Sequence, residues 1–201
     1  MLSEYKATLP LRTTDDAEPE AKTVLEAAQK KLGFVPNMYQ AMANSPGLLN
    51  SYIQGYEAFR ANSGFSPAEQ EVVFLTISRT NGCEYCVAAH SFIAEIMSGV
   101  PDAVTKAIRD GASIPDAKLN ALSNFVQVMV TKHGLPDRAH VEAFLSAGYE
   151  EKFILEIILA ISVKTISNYT NHIFHTEVDE AFASHIWSDQ QHMDEAIAVN
   201  Q

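Results

Sequence analysis

The chain holds 201 residues, 47% hydrophobic and 19% charged, enough to bury a substantial core in one domain or in two closely packed helical halves. Its formal net charge of −11 leaves no electrostatic footprint for nucleic acid and disfavours an anionic membrane surface, so neither is expected as a partner. The opening Met1-Leu2-Ser3-Glu4-Tyr5-Lys6 lacks the apolar core of a signal peptide, and the longest apolar run, Phe153 to Val163, contains Glu156 and is too short for a bilayer; the default setting is cytoplasmic.

Taken in order, residues 1–17 are polar and irregular, with Pro10 and Asp15-Asp16, and read as an N-terminal arm packed on the body or on a neighbouring subunit. Glu18-Pro19-Glu20 starts a helix with Val24, Ala27, Ala28 and Leu32 at helical spacing, stopped by Gly33. Val35-Pro36-Asn37 precedes a short helix through Met38 and Met42. Ser45-Pro46 opens the next, whose Leu48, Leu49, Tyr52, Ile53, Tyr56 and Phe59 make a broad face suited to core packing more than to a substrate pocket.

Ser66-Pro67 opens an apolar run that Asn81-Gly82 interrupts, and a second run starts at the cysteines and continues to about Met97, closed by Ser98-Gly99. Residues 66–98 thus read as an antiparallel helical hairpin. Pro101-Asp102 begins a short helix ended by Gly111. Pro115-Asp116 begins a longer one, stopped near Gly134, and Pro136-Asp137 begins another that ends around Gly148. Proline at a first helical position loses no needed N–H, and glycine accepts the left-handed cap, so this punctuation has a mechanism. With no sustained period-two alternation, the fold class is all-α, a multi-helical bundle forming a single domain over 1–201.

Residues 150–175 look like the hairpin without its chemistry. A shift of 84 residues lays Leu75-Thr76-Ile77-Ser78 on Leu159-Ala160-Ile161-Ser162 and Tyr85 on Tyr169, and puts Cys83, Cys86 and His90 on Ser167, Thr170 and Phe174. A degenerate two-fold repeat with one silent copy and a chance likeness of apolar helices both fit. His172 and His175, near the end of this segment, suit surface or capping roles. The tail from Glu177 to Gln201 suggests one or two short amphipathic helices around Phe182, Ile186 and Trp187.

The chemistry is concentrated between Glu71 and His90. Both cysteines of the chain, Cys83 and Cys86, fall there, at the start of a helical run whose dipole and free N–H groups favour a thiolate. Cys86 and His90 are one helical step of four apart and share a face. With the turn near Asn81, Glu71 and His90 each sit roughly 14 Å from the bend at about 1.5 Å per residue, so acid and imidazole can meet across the hairpin. A base beside a thiol and a carboxylate behind the base form an activated-nucleophile arrangement. Three readings stand: redox chemistry, a zinc site on Cys83, Cys86 and His90, and an inert buried pair. No second cysteine pair supplies a fourth zinc ligand, which favours redox. Tyr85 is either a proton donor near the sulfurs or a packing residue.

Glu, eleven residues, Cys-x-x-Cys, three residues, His resembles the motif of the alkylhydroperoxidase D-like, or carboxymuconolactone decarboxylase-like, proteins, with Glu71, Cys83, Cys86 and His90 in register. Leu32-Gly33-Phe34-Val35-Pro36-Asn37-Met38 and Lys164-Thr165-Ile166-Ser167-Asn168-Tyr169 look like the longer, peroxidase-related members. The resemblance implies a thiol peroxidase acting on hydrogen peroxide or organic hydroperoxides. In that cycle Cys86 becomes a sulfenic acid, Cys83 resolves it to a disulfide, and His90 with Glu71 assists proton transfer. It also implies an external dithiol reductant of lipoamide or thioredoxin type and a homo-oligomer; no cofactor and no metal are expected. One departure stands out: alkylhydroperoxidase D carries a histidine just before its second cysteine, where this chain has Tyr85. A disulfide oxidoreductase or redox sensor, a decarboxylase-like member and a non-catalytic assembly protein are the alternatives on the same scaffold. The cysteine pair argues against the decarboxylase.

Overall fold

The computed structural model describes residues 3–188, which form α-helices with no strand among the described residues. The chain is all-α. The helices are α1 (Pro19–Leu32), α2 (Asn37–Met42), α3 (Pro46–Asn62), α4 (Pro67–Thr80), α5 (Glu84–Phe92), α6 (Asp102–Asp110), α7 (Ala117–Thr131), α8 (Arg138–Ser146) and α9 (Lys152–Phe174). Their starts have local causes. Ser66 and Glu69 form a reciprocal capping box at α4, and the Asp116 and Asp137 carboxylates accept from the Leu119 and His140 amides at α7 and α8.

α4 is the central helix. Every residue from Gln70 to Ser78 is buried, so it has no solvent face, and it packs against α5, α6, α7 and α9. At its end Asn81 and Gly82 turn the chain, the Cys83 amide donates to Ser78 O at 2.9 Å, and α5 starts with Cys83 as its N-cap. The expected continuation to Met97 is present but changes winding after Phe92, where Ile93–Met97 forms a π-helical turn. α9 lies across the bundle against α2, α3, α4, α5 and α7. It approaches α3 closely: a Cβ on Gly55 would lie 2.8 Å from Val163 Cγ2.

Three expectations are corrected. The buried face of α1 is Ala21, Leu25 and Ala28; Val24 is only partly covered, and Ala27 and Leu32 face solvent. α9, with 23 residues and mean hydropathy 1.3, is long and apolar enough to cross a membrane by length and composition. Here one side of it is buried, with Lys164, Ser167, Asn168 and Asn171 covered and Val163 and Ala160 packed in the core, while Leu155, Ile158, Tyr169 and Ile173 are exposed. The tail forms a single 3₁₀ turn, Glu180–His185, in place of an amphipathic α-helix around Phe182; Ile186 is exposed and Trp187 buried, and the rest of the tail lies outside the described residues. The N-terminal segment runs along the body, with Ala7 N donating to Ile173 O at 2.9 Å and Arg12 N to Gln40 O at 3.0 Å. His175 caps α9 in the left-handed conformation and meets Ser3 O at 2.7 Å.

Candidate active site

α4 and α5 bring Glu71 and His90 together inside the protein. Glu71 is fully buried, and its Oε2 lies 2.9 Å from His90 Nδ1, while its Oε1 pairs with Arg60 at 2.5 Å. Arg60 comes from the last turn of α3, donates to Tyr56 and Gln70, and lies over the Tyr56 and Phe74 rings at 4.9 Å. Burial pushes the Glu71 carboxyl up, but the bond to His90 and the Arg60 charge hold it below its ordinary value. Burial and the Lys164 charge lower the His90 pKa against the pull of Glu71. His90 is therefore a neutral imidazole near pH 7. With Nδ1–H donated to the carboxylate, Nε2 carries the lone pair and is the basic atom.

Cys83 and Cys86 are both free thiols, each 1% exposed. Cys86 occupies the first turn of α5, where the helix dipole favours an anion. The two sulfurs titrate as a pair. At Cys86 burial raises the pKa, but the hydrogen bond from Cys83 and the Lys164 charge outweigh it, and the thiol falls well below its ordinary value. At Cys83 burial and the neighbouring Cys86 push the thiol well up. The negative charge thus resides on Cys86, with Cys83 as its S–H donor.

α9 completes this environment. Asn171 Nδ2 donates to Cys86 Sγ at 3.3 Å and lies 3.8 Å from Cys83 Sγ, and Ser167 Oγ is 3.8 Å from Cys86 Sγ. Lys164, 1% exposed, presents Nζ 5.7 Å above the Phe74 ring, and its charge acts on both sulfurs and on His90. An unpaired buried ammonium is costly, and a thiolate beside it offsets that cost. Lys164, Asn171, Ser167 and Arg60 are absent from the sequence-level site. For Lys164 a signal exists: it is the one cation between Phe153 and Ile166, in the mostly apolar middle of α9.

Tyr85 is turned to another partner. Its hydroxyl donates to Asp179 Oδ2 at 2.5 Å, and Asp179 also accepts from the Asn37 amide at 3.1 Å. Burial and the Asp179 charge push the Tyr85 phenol well up, and burial raises Asp179. The phenol proton is held on the side of α5 that faces the C-terminal segment. Among the described residues no group of three or more His, Cys, Asp and Glu is arranged to hold a metal ion.

Residues 46–127, which carry Arg60, Glu71, both cysteines and His90, match the model of the carboxymuconolactone decarboxylase family. The match spans the stretch from α3 into α7 and includes the whole Glu71-to-His90 constellation. Among solved structures, this chain is similar in fold to an alkylhydroperoxidase AhpD core protein, an uncharacterized peroxidase-related protein from Ralstonia eutropha JMP134. The TM-score is 0.77 at 21% identity, covering 90% of this chain and 96% of that one. An uncharacterized peroxidase-related protein from Silicibacter sp. TM1040 gives 0.75 at 22% identity, covering 90% and 95%. A variant of the debrominase Bmp8 in complex with 2,3,4-tribromopyrrole gives 0.71 at 20% identity, covering 96% and 98%. The fold therefore carries more than one activity. No curated protein matches the chain at a significant level.

Proposed function

We propose that this chain is a thiol-dependent peroxidase that reduces hydrogen peroxide or a small organic hydroperoxide. The observation that carries the reading is the buried Cys86 thiol, lowered beside Cys83, Lys164 and His90, with His90 anchored to Glu71 at 2.9 Å. The Cys86 thiolate attacks the O–O bond. An S–O bond forms, the O–O bond breaks, and the departing hydroxide or alkoxide takes a proton from Lys164 Nζ. The Cys83 thiol, giving its proton to His90 Nε2, then attacks the Cys86 sulfenic sulfur; an S–S bond forms and water leaves with that proton. An external dithiol of lipoamide or thioredoxin type takes the disulfide back to two thiols and is itself oxidised. The active form is a cytoplasmic homo-oligomer in this reading. Two sulfurs each 1% exposed favour a small oxidant over a bulky one.

The test is stopped-flow consumption of hydrogen peroxide by the reduced protein and by Cys86→Ser and Cys83→Ser. The expected result is loss of the fast phase in Cys86→Ser, and in Cys83→Ser a single turnover that ends at a trappable sulfenic acid. Equal rates in wild type and Cys86→Ser would overturn the reading.

One observation favours a disulfide oxidoreductase or redox sensor on the same site: the Tyr85 proton is bound to Asp179, away from the relay position a histidine holds in alkylhydroperoxidase D. Slow peroxide consumption together with fast exchange with dihydrolipoamide would select that function.

A further inference from the structure

On the side of α4 turned to α6 and α7, a cavity of about 90 Å³ is lined by Arg79, Ser113, Asn124 and Gln127, among others. Arg79 Nε is buried there with no hydrogen-bond partner. Arg60, on the same core, pairs with Glu71 and Tyr56; no ion pair among the described residues includes Arg79, in a chain of net charge −11. An uncommitted guanidinium in so acidic a protein calls for an anion.

The wall around it is built of uncharged polar groups. Thr76 and Ser123 hydroxyls satisfy each other at 2.9 Å, whereas Ser113 Oγ and the side-chain amides of Asn124 and Gln127 take no part in any side-chain hydrogen bond of the described residues and remain free to donate. Gly111, at φ +69°, makes room for the arginine: a Cβ there would lie 2.8 Å from Arg79 Nη2. No carboxylate is among the cavity's lining residues.

We propose that this cavity binds a small tetrahedral oxyanion, a phosphate or sulfate group, with the Arg79 fork as its charged donor and Ser113, Asn124 and Gln127 as neutral ones. Guanidinium pairs bidentately with such groups. The volume suits one group and no more, and the exposed Asn124 and Gln127 leave the mouth open to solvent, so the group is either a free ion or the end of a larger phosphomonoester. Its occupant would tie α4 to the α6–α7 turn and to α7.

The experiment is isothermal titration calorimetry on the full chain with sodium phosphate, sodium sulfate and glycerol phosphate, against sodium chloride at matched ionic strength. Saturable binding is expected in wild type and in Cys86→Ser alike, weakened about tenfold or more in Arg79→Gln by loss of charge-assisted hydrogen bonds. Gln127→Glu, at an exposed rim position, adds a repelling charge without touching the core and decides the matter if Arg79→Gln fails to fold. Tighter binding of phosphate than of glycerol phosphate marks the free ion, and the reverse marks the monoester. Absence of saturable heat with all three, or equal affinity in wild type and Gln127→Glu, overturns the proposal.

Discussion

Asn171 Nδ2 donates to Cys86 Sγ at 3.3 Å from a helix 85 positions further along the chain. A neutral amide donor to a buried sulfur stabilises thiolate over thiol, because the thiol is the poorer acceptor. Asn171→Leu, which keeps the volume, is expected to slow iodoacetamide alkylation of Cys86 at neutral pH by about tenfold, the size of one charge-assisted bond. An unchanged rate would show that the contact does nothing for the sulfur.

Lys164→Met separates chemistry from stability. The substitution removes the buried ammonium that acts on Cys86 and leaves an apolar stem of similar length against Phe74. Removing one member of a buried charge pair is costly when the other stays charged, but the Cys86 thiolate can take up a proton and become a neutral thiol beside the new apolar chain. The expected outcome is a thermal midpoint at or above wild type with a peroxide rate at least about tenfold lower, in line with a weakened thiolate. Loss of both together would mean that Lys164 is structural.

The His90–Glu71 pair sets the acid limit of stability. Burial lowers His90 below its ordinary 6.5, so below that pH the unfolded chain takes a proton that the native state refuses. The unfolded state holds more protons, and stability falls as pH drops from 6.5 until native His90 protonates too. Glu71, lowered below 4.5, contributes stability that is present above 4.5 and lost as pH falls through its lowered native value. Urea midpoints measured from pH 7 to pH 4 are expected to decline throughout, and His90→Asn to flatten the upper part of that decline. A midpoint independent of pH in the wild type would contradict both lowered values.

Tyr85→Phe deletes the bond to Asp179 and leaves that buried carboxylate with only the Asn37 amide. A cost of about 1 to 3 kcal/mol is expected in urea unfolding, the penalty for orphaning a buried acceptor. The peroxide rate is expected to stay within about threefold of wild type, because the phenol proton is committed to Asp179 and takes no part at sulfur. A much larger fall in rate, with stability intact, would return Tyr85 to the relay.

Helix punctuation was the most legible part of the chain. Ser66, Asp116 and Asp137 cap helices, and Gly33 and Gly111 end them with positive φ, because these are local events settled within a few residues. The meeting of Glu71 and His90 follows from helix rise and one turn. The α9 contribution has no such arithmetic: Lys164, Ser167 and Asn171 reach the sulfurs only through the packing of α9 on α4 and α5, which sequence spacing does not encode. The same holds for Arg60, whose approach to Glu71 depends on how α3 crosses the core. The face of α1 was misjudged for a different reason. Val24, Ala27 and Leu32 keep helical spacing as well as Ala21, Leu25 and Ala28 do, and only tertiary contact chooses between the two stripes.

Sulfurs sealed at 1% exposure impose an asymmetry between the two halves of any catalytic cycle. A molecule the size of hydrogen peroxide can percolate inward while the helices stay closed, but a dithiol carrier needs α5 and α9 to part before it can touch the disulfide. Recovery then becomes a unimolecular opening followed by capture. Its rate would level off at high carrier concentration, and that plateau would report the breathing of the bundle.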